Sequence, residues 1–294
     1  MPGGPVRDGV VIVDKAPGWT SHDVVAKLRG VLGTKKVGHA GTLDPDATGV
    51  LVVGVGRMTR LLRFLAATTK SYTGEVVLGV ATSTLDASGE VTGTWDMSGV
   101  TTRAARDAAS GLTGSILQIP PMVSAVQIGG RRLHELAREG IEVERDARPV
   151  TVHSFEVGDP VAPGVLPIEV SCSAGTYVRT LAADLGAALG GGAHLRNLCR
   201  TAVGSFTIAE ARPIEAIDVT AVRPMAESLG HLASIDVGDE LAAAVRHGKV
   251  LPADVLGASG TGPWIVIGEA GELLAVYEAH KGSTVKPAVV VAAP

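Results

Sequence analysis

The sequence predicts an α/β protein, with one mixed sheet flanked by helices over residues 1–212 and a small, mostly β domain over residues 213–294. Three observations carry this. As far as about residue 212, short apolar runs bounded by Gly and Pro alternate with segments of helical apolar spacing. From Pro213 the character changes to acidic helical segments followed by strand-like runs. The 294 residues are also enough for two domains at about 150 residues each, with a substantial core in the first.

Val10 to Asp14 reads as a buried strand that ends in the turn Lys15-Ala-Pro-Gly18. Thr20 or Ser21 is a natural N-cap, the spacing of Val24, Val25, Leu28, Val31 and Leu32 is helical, and Gly33 stops that helix. After a Lys35-Lys36 loop, the Gly- and Asp-rich segment from Gly38 to Gly49 reads as loop and gives way abruptly to a strand from Val50 to Val55. Residues 71–80 and 90–95 read as a hairpin joined across Asp86-Ala-Ser-Gly89, and residues 101–112 as a helix. Gln118-Ile-Pro-Pro-Met122 interrupts any regular element, and Arg131 to Glu139 is a short charged helix stopped by Gly140. Strands follow at 150–157 and 166–173, then an amphipathic helix from Tyr177 to Leu189 that ends at three glycines. The second domain reads as helices over Pro224 to Leu232 and Glu240 to His247, then strands at 264–268, 273–277 and 288–292.

Composition excludes several function classes. The chain has 26 Lys and Arg against 30 Asp and Glu, net −4, so it is no uniformly basic nucleic-acid coat. The charge is uneven: residues 1–70 carry net +5 and residues 213–294 net −5, which makes the amino-terminal quarter the polyanion-facing part. Two cysteines without CxxC spacing argue against both a disulfide framework and a cysteine zinc site, and fit a reducing cytoplasm. The early apolar run Gly9 to Val13 lies between two aspartates, and no run approaches the roughly 18 residues of a membrane span, so a soluble protein is expected. There is no GxGxxG, phosphate loop, HExxH or GxSxG. The expectation is chemistry without metal or cofactor.

Three positions stand out. Asp44 precedes Pro45, a common turn-starting arrangement in which the carboxylate caps local amides. Its loop also holds Gly38, Gly41 and Gly49, an apolar Leu43, and positive charge from Lys35, Lys36 and His39, which suits a bulky anionic ligand. Tyr72 opens a strand and is either an ordinary packing residue or, with only nine aromatics in the chain, a platform for a base. Arg179 falls in the first turn of a helix. Either it is solvated there, or, since a cation opposes the helix dipole at that end, it pairs with a carboxylate, Asp44 being one candidate.

Taken together, several segments resemble the TruB family of bacterial tRNA pseudouridine-55 synthases. They are Asp14-Lys-Ala-Pro-Gly-Trp-Thr-Ser21, Val37-Gly-His-Ala-Gly-Thr-Leu-Asp-Pro45 with Ala47-Thr-Gly49, and Lys70-Ser-Tyr72. In the same order follow Leu78 to Asp86, Pro120-Pro-Met-Val-Ser-Ala125, Gly175-Thr-Tyr-Val-Arg-Thr180 and Gly192-Ala-His-Leu-Arg-Asn-Leu198, so the resemblance spans residues 10–206. It implies a pseudouridine synthase catalytic domain over 1–212 and a PUA-like RNA-binding domain over 213–294. The activity it implies is an isomerisation of the T-loop uridine at position 55 of tRNA, without cofactor, by a cytoplasmic monomer with no protein partner.

By motif position, the resemblance makes Asp44 the catalytic aspartate, customarily called the nucleophile, Tyr72 the residue that stacks on the target base, and Arg179 the partner of the aspartate. Tyr177 and Leu198 match positions lining the uridine pocket, and His39 one that fills the space left by the extruded base. Lys15, Lys35 and Lys36 are expected to bind substrate from the basic segment. Val123 and His134 depart from the family pattern, where an aromatic and a tyrosine are common. Two alternatives are a guide-RNA-dependent synthase subunit and a non-catalytic tRNA-binding or folding module. The acidic carboxy-terminal domain lacks the basic extensions of the first, and the presence of Asp44, Tyr72 and Arg179 together disfavours the second.

Overall fold

The computed structural model describes residues 7–124 and 126–291; Ala125, which ends one of the motifs above, and the side chain of His134 lie outside the described set. In β1 (Gly9–Lys15), Val11 and Val13 face one apolar cluster while Val10 and Ile12 face another. A strand covered on both faces reads as an unbroken apolar run, which is how it appears in the sequence. Thr20 caps α1 (Ser21–Val31): its hydroxyl accepts from the Asp23 amide, and the Asp23 carboxylate accepts from the Thr20 amide. That reciprocal pair satisfies two donors that would otherwise be open at the helix start. Gly38 and His39, expected as loop, instead belong to the short strand Val37–His39, which pairs antiparallel with β2 (Thr48–Val55).

β3 (Lys70–Leu78) alternates strictly, with Lys70, Tyr72, Gly74, Val76 and Leu78 turned inward. The hairpin expected between 71–80 and 90–95 is corrected. Gly79 takes φ +84 and ends β3, so only Val80–Thr82 pairs with Val91–Thr94. The chain continues through α2 (Thr102–Ser110), β4 (Gly114–Gln118), β5 (Arg148–Val157), β6 (Val165–Cys172), α3 (Val178–Ala188) and β7 (Ala193–Val203). The main sheet has the order β1-β2-β7-β3-β6-β5-β4. Within that order β2 and β7 are parallel and the other neighbours antiparallel, the mixed sheet that the sequence predicts. Helices α1, α2 and α3 bury their apolar faces in one cluster against it.

Residues 212–213 and 223–224 still pair with β1. The expected helix over 224–232 shortens to Met225–Ser228. A second sheet then forms from β8 (Ala233–Asp236), β9 (Trp264–Ile267), β10 (Leu273–Ala279) and β11 (Thr284–Val290), with α4 (Asp239–Arg246) against it. The last strand begins four residues before the expected 288. Ile265 and Val276 of this sheet join Val10, Ile12, Val50 and Val52 in the second apolar cluster, so it covers the other face of β1 and β2. Among the described residues, no helix is long and apolar enough to cross a membrane.

One close contact fixes where the 38–49 segment meets the sheet. Gly49 has φ +95 and lies opposite Arg200 in the parallel pair, where a Cβ would stand 2.3 Å from the Arg200 carbonyl oxygen. Gly49→Ala is therefore expected to cost about 3 kcal/mol in urea unfolding. A variant as stable as the parent would contradict the packing described.

Candidate active site

The loop carrying Asp44 is held by side chains from three directions. Ser21, at the buried start of α1, donates to the Leu43 carbonyl and accepts from the Leu43 amide. Lys15, at the end of β1, donates to the carbonyls of Ala16, Trp19 and Pro45. Arg200 of β7 donates to those of Gly41, Thr42 and Val50. With the Gly18 amide also on Pro45, the backbone on both sides of Asp44 is fixed before any ligand arrives.

Arg179 lies at the start of α3, just past its N-cap Tyr177, and is 4% exposed. Every face of its guanidinium is engaged. Nε meets Asp44 Oδ2 at 3.1 Å, Nη2 donates to the Val123 carbonyl at 2.8 Å, and Nη1 donates to the Thr84 carbonyl at 2.9 Å and to Asp86 Oδ2 at 3.2 Å. Asp86 is itself fixed by the hydroxyls of Thr84 and Ser88. Two carboxylates thus answer the charge that the helix dipole disfavours at this end. Burial pushes the Asp44 carboxyl above the usual carboxylate range, and Arg179 opposes that shift without cancelling it.

Asp44, Tyr72, Tyr177, Arg179 and Leu198 line one cavity of about 260 Å³, with Arg200 in its wall. Tyr72 is 9% exposed, and its phenol is pushed up by burial while the adjoining Arg200 pulls it down. Gln118, nine-tenths buried or more, clamps the backbone of Tyr177 with both ends of its amide. A second cavity of about 500 Å³ shares Asp44, Arg179 and Leu198 and adds Asp86, Arg196 and Asn197. A third cavity, of about 640 Å³, opens over β3, β5 and β6 and contains none of these residues.

The other expected residues lie elsewhere. His39 is outside both cavity linings and packs edge-on against His22 with ring centroids 5.4 Å apart; burial lowers its pKa. Lys35 and Lys36 are exposed and away from the cavity. Lys15, expected as a substrate contact, is placed under the Asp44 loop. It is 1% exposed, burial brings its pKa down to about 8, and its ammonium is enclosed by three carbonyls, so it braces the Asp44 loop. Sequence reasoning missed Asp86 as a partner of Arg179, and it missed Arg200. The register places Arg200 directly across from Tyr72, a juxtaposition visible only once β7 is known to be a strand. Among the described residues, no group of three or more His, Cys, Asp or Glu side chains is placed to hold a metal ion.

Comparison with known proteins adds independent findings. Residues 29–178 match the model of the TruB family pseudouridylate synthase N-terminal domain, and residues 179–232 that of the tRNA pseudouridylate synthase B C-terminal domain. The chain is 47% identical over 294 residues to the tRNA pseudouridine synthase B of Streptomyces coelicolor, covering 96% of this chain and 97% of the relative. It is 41% identical to that of Geobacillus thermodenitrificans, covering 93% and 95%. Among solved structures, one chain of a Cbf5-Nop10-Gar1 complex superposes with a TM-score of 0.75 at 27% identity, covering 98% of this chain and 86% of that one. A chain of an H/ACA RNP bound to a substrate RNA containing 2'-deoxyuridine gives 0.72 at 26% identity, covering 97% and 85%.

Proposed function

The chain belongs to the TruB family of pseudouridylate synthases, and from that premise we propose that it isomerises the T-loop uridine at position 55 of tRNA to pseudouridine. The observation that carries the reading is the pairing of Asp44 with Arg179 inside a cavity that also presents Tyr72. The N1–C1′ bond breaks, the C5–C1′ bond forms, C5 gives up its proton and N1 gains one. No electrons are transferred to or from the substrate, so the step requires no redox partner or group donor.

A uridine within a folded loop must leave its stack to bring C1′, C5 and C6 within reach, at a cost of a few kcal/mol. Stacking on Tyr72 returns about 1 to 3 kcal/mol of that. Asp44 is the nucleophile of this scheme, and Arg179 keeps its carboxylate ionised against the desolvation of the cavity. Tyr177 and Leu198 complete the uridine pocket.

Purified chain incubated with unmodified tRNA alone should form pseudouridine at position 55, mapped by chemical probing. No product would overturn the reading. Product only when a guide RNA or further subunits are added would favour instead the mode of action that the likeness to chains from RNP complexes raises. The pH dependence follows from the site. Asp44 acts as the carboxylate, and burial raises its pKa, so the acid limb of kcat/KM should have its midpoint above the ordinary aspartate value. A profile flat down to pH 4 would contradict an ionised Asp44 as the essential group.

A further inference from the structure

Between Arg196 and Cys199 the pairing of β7 with β3 shifts, so Asn197 and Leu198 bulge out opposite Gly74. Asn197 takes φ +51, a left-handed conformation that asparagine tolerates better than most residues. Gly74 faces the bulge, with a Cβ at that position falling at ordinary contact distance, 3.6 Å, from Leu198 Cα, two residues from Tyr72. Glu75, on the opposite face of β3, ties the bulge down. Its Oε2 accepts from Arg196 Nε at 2.6 Å and from Asn197 Nδ2 at 3.2 Å. The next residue, Leu198, lines both cavities that meet at Asp44.

We infer that Glu75 is a positioning residue for the pseudouridine reaction: by holding Arg196 and Asn197 it fixes the bulge that sets Leu198 as a wall beside Asp44. The inference rests on the functional reading above. Magnitudes separate it from a purely structural role. With the side chains of Glu75 and Arg196 23% and 39% exposed, the ion pair itself adds little to stability. A pocket wall displaced by about 1 Å, by contrast, costs up to about 100-fold in rate. Glu75 should therefore matter far more to turnover than to folding.

Glu75→Ala is expected to lower kcat on unmodified tRNA about tenfold, with KM and the urea midpoint nearly unchanged. Glu75→Gln, whose amide oxygen can still accept from both donors, should recover most of that loss. If Glu75 acts through Leu198, then in a Leu198→Ala background Glu75→Ala should change kcat by less than about twofold. Losses that multiply in the double variant, or a Gln variant as poor as the Ala variant, would overturn the inference while the functional reading stands. A parent chain that forms no pseudouridine would overturn the reading and the inference with it.

Discussion

Asp44→Asn should abolish pseudouridine formation, with at least about a 10³-fold loss in kcat, while tRNA binding stays measurable and the fold intact. Asparagine keeps the shape of the side chain and an oxygen that can accept from Arg179 Nε, so the walls of the cavity are preserved. What it loses is the negative charge, and with it the proposed nucleophile. The linkage runs in a checkable direction. The folded-state pKa of Asp44 is raised, so folding binds its proton more tightly than the unfolded chain does, and stability falls as pH rises from the unfolded pKa through the folded one. Above that window the parent carries the cost of a desolvated carboxylate and the asparagine variant does not. At neutral pH the variant should therefore unfold at no lower urea concentration than the parent. Tritium release from C5-labelled uridine in a T-arm RNA measures the chemistry, and a binding titration at fixed salt measures the rest. Full turnover by the variant would sink the catalytic role of Asp44.

The parts of the site that are legible in the sequence are those whose reason for being there is local. Arg179 is legible as a residue needing a carboxylate because a cation in a first helical turn is electrostatically misplaced, and the structure supplies Asp44 and Asp86. Strand β1 is legible because burial on both faces leaves an unbroken apolar run. Strand β7 is not, although it lies at the centre of the main sheet between β2 and β3. Its bulge breaks the alternation, and Arg196, Asn197 and Arg200 mask its apolar residues. Arg200 is lost with it, since its burial is made possible by three carbonyls that come from elsewhere in the chain. The surroundings of Lys15 are hidden in the sequence for the same physical reason. A lysine reads as a surface charge unless the carbonyls that enclose it are known, and Pro45 lies 30 residues away. Gly79 misleads in a different way, because a single left-handed residue divides what reads as one strand into two that join different sheets.

The remaining large effect is expected at Arg179. Arg179→Met keeps much of the side-chain volume but leaves Asp44 and Asp86 without their shared cation and the Thr84 and Val123 carbonyls without a donor. Removing the buried partner of an ion pair costs up to about 3 to 5 kcal/mol, and less here because the Asp44 side chain is 40% exposed. The loss should depend on pH in a definite sense. Without the guanidinium the desolvation of Asp44 is opposed only by the more weakly acting Lys15, so its folded-state pKa rises further, and stability is lost over a wider range as pH increases. The gap to the parent should accordingly be smaller at pH 5 than at pH 8. Activity should follow the same group, with the acid limb of kcat/KM moving to higher pH because Asp44 is harder to ionise. Arg179→Lys separates charge from geometry. One ammonium can supply the positive charge but cannot reach Asp44, Asp86, Thr84 and Val123 together, so stability should recover in part while kcat stays low. Unfolding titrations at the two pH values, paired with pH–rate profiles of both variants, test this directly. If the methionine variant lost the same stability at both pH values and kept the parent acid limb, Arg179 would be acting as a packing residue rather than as the electrostatic partner of Asp44.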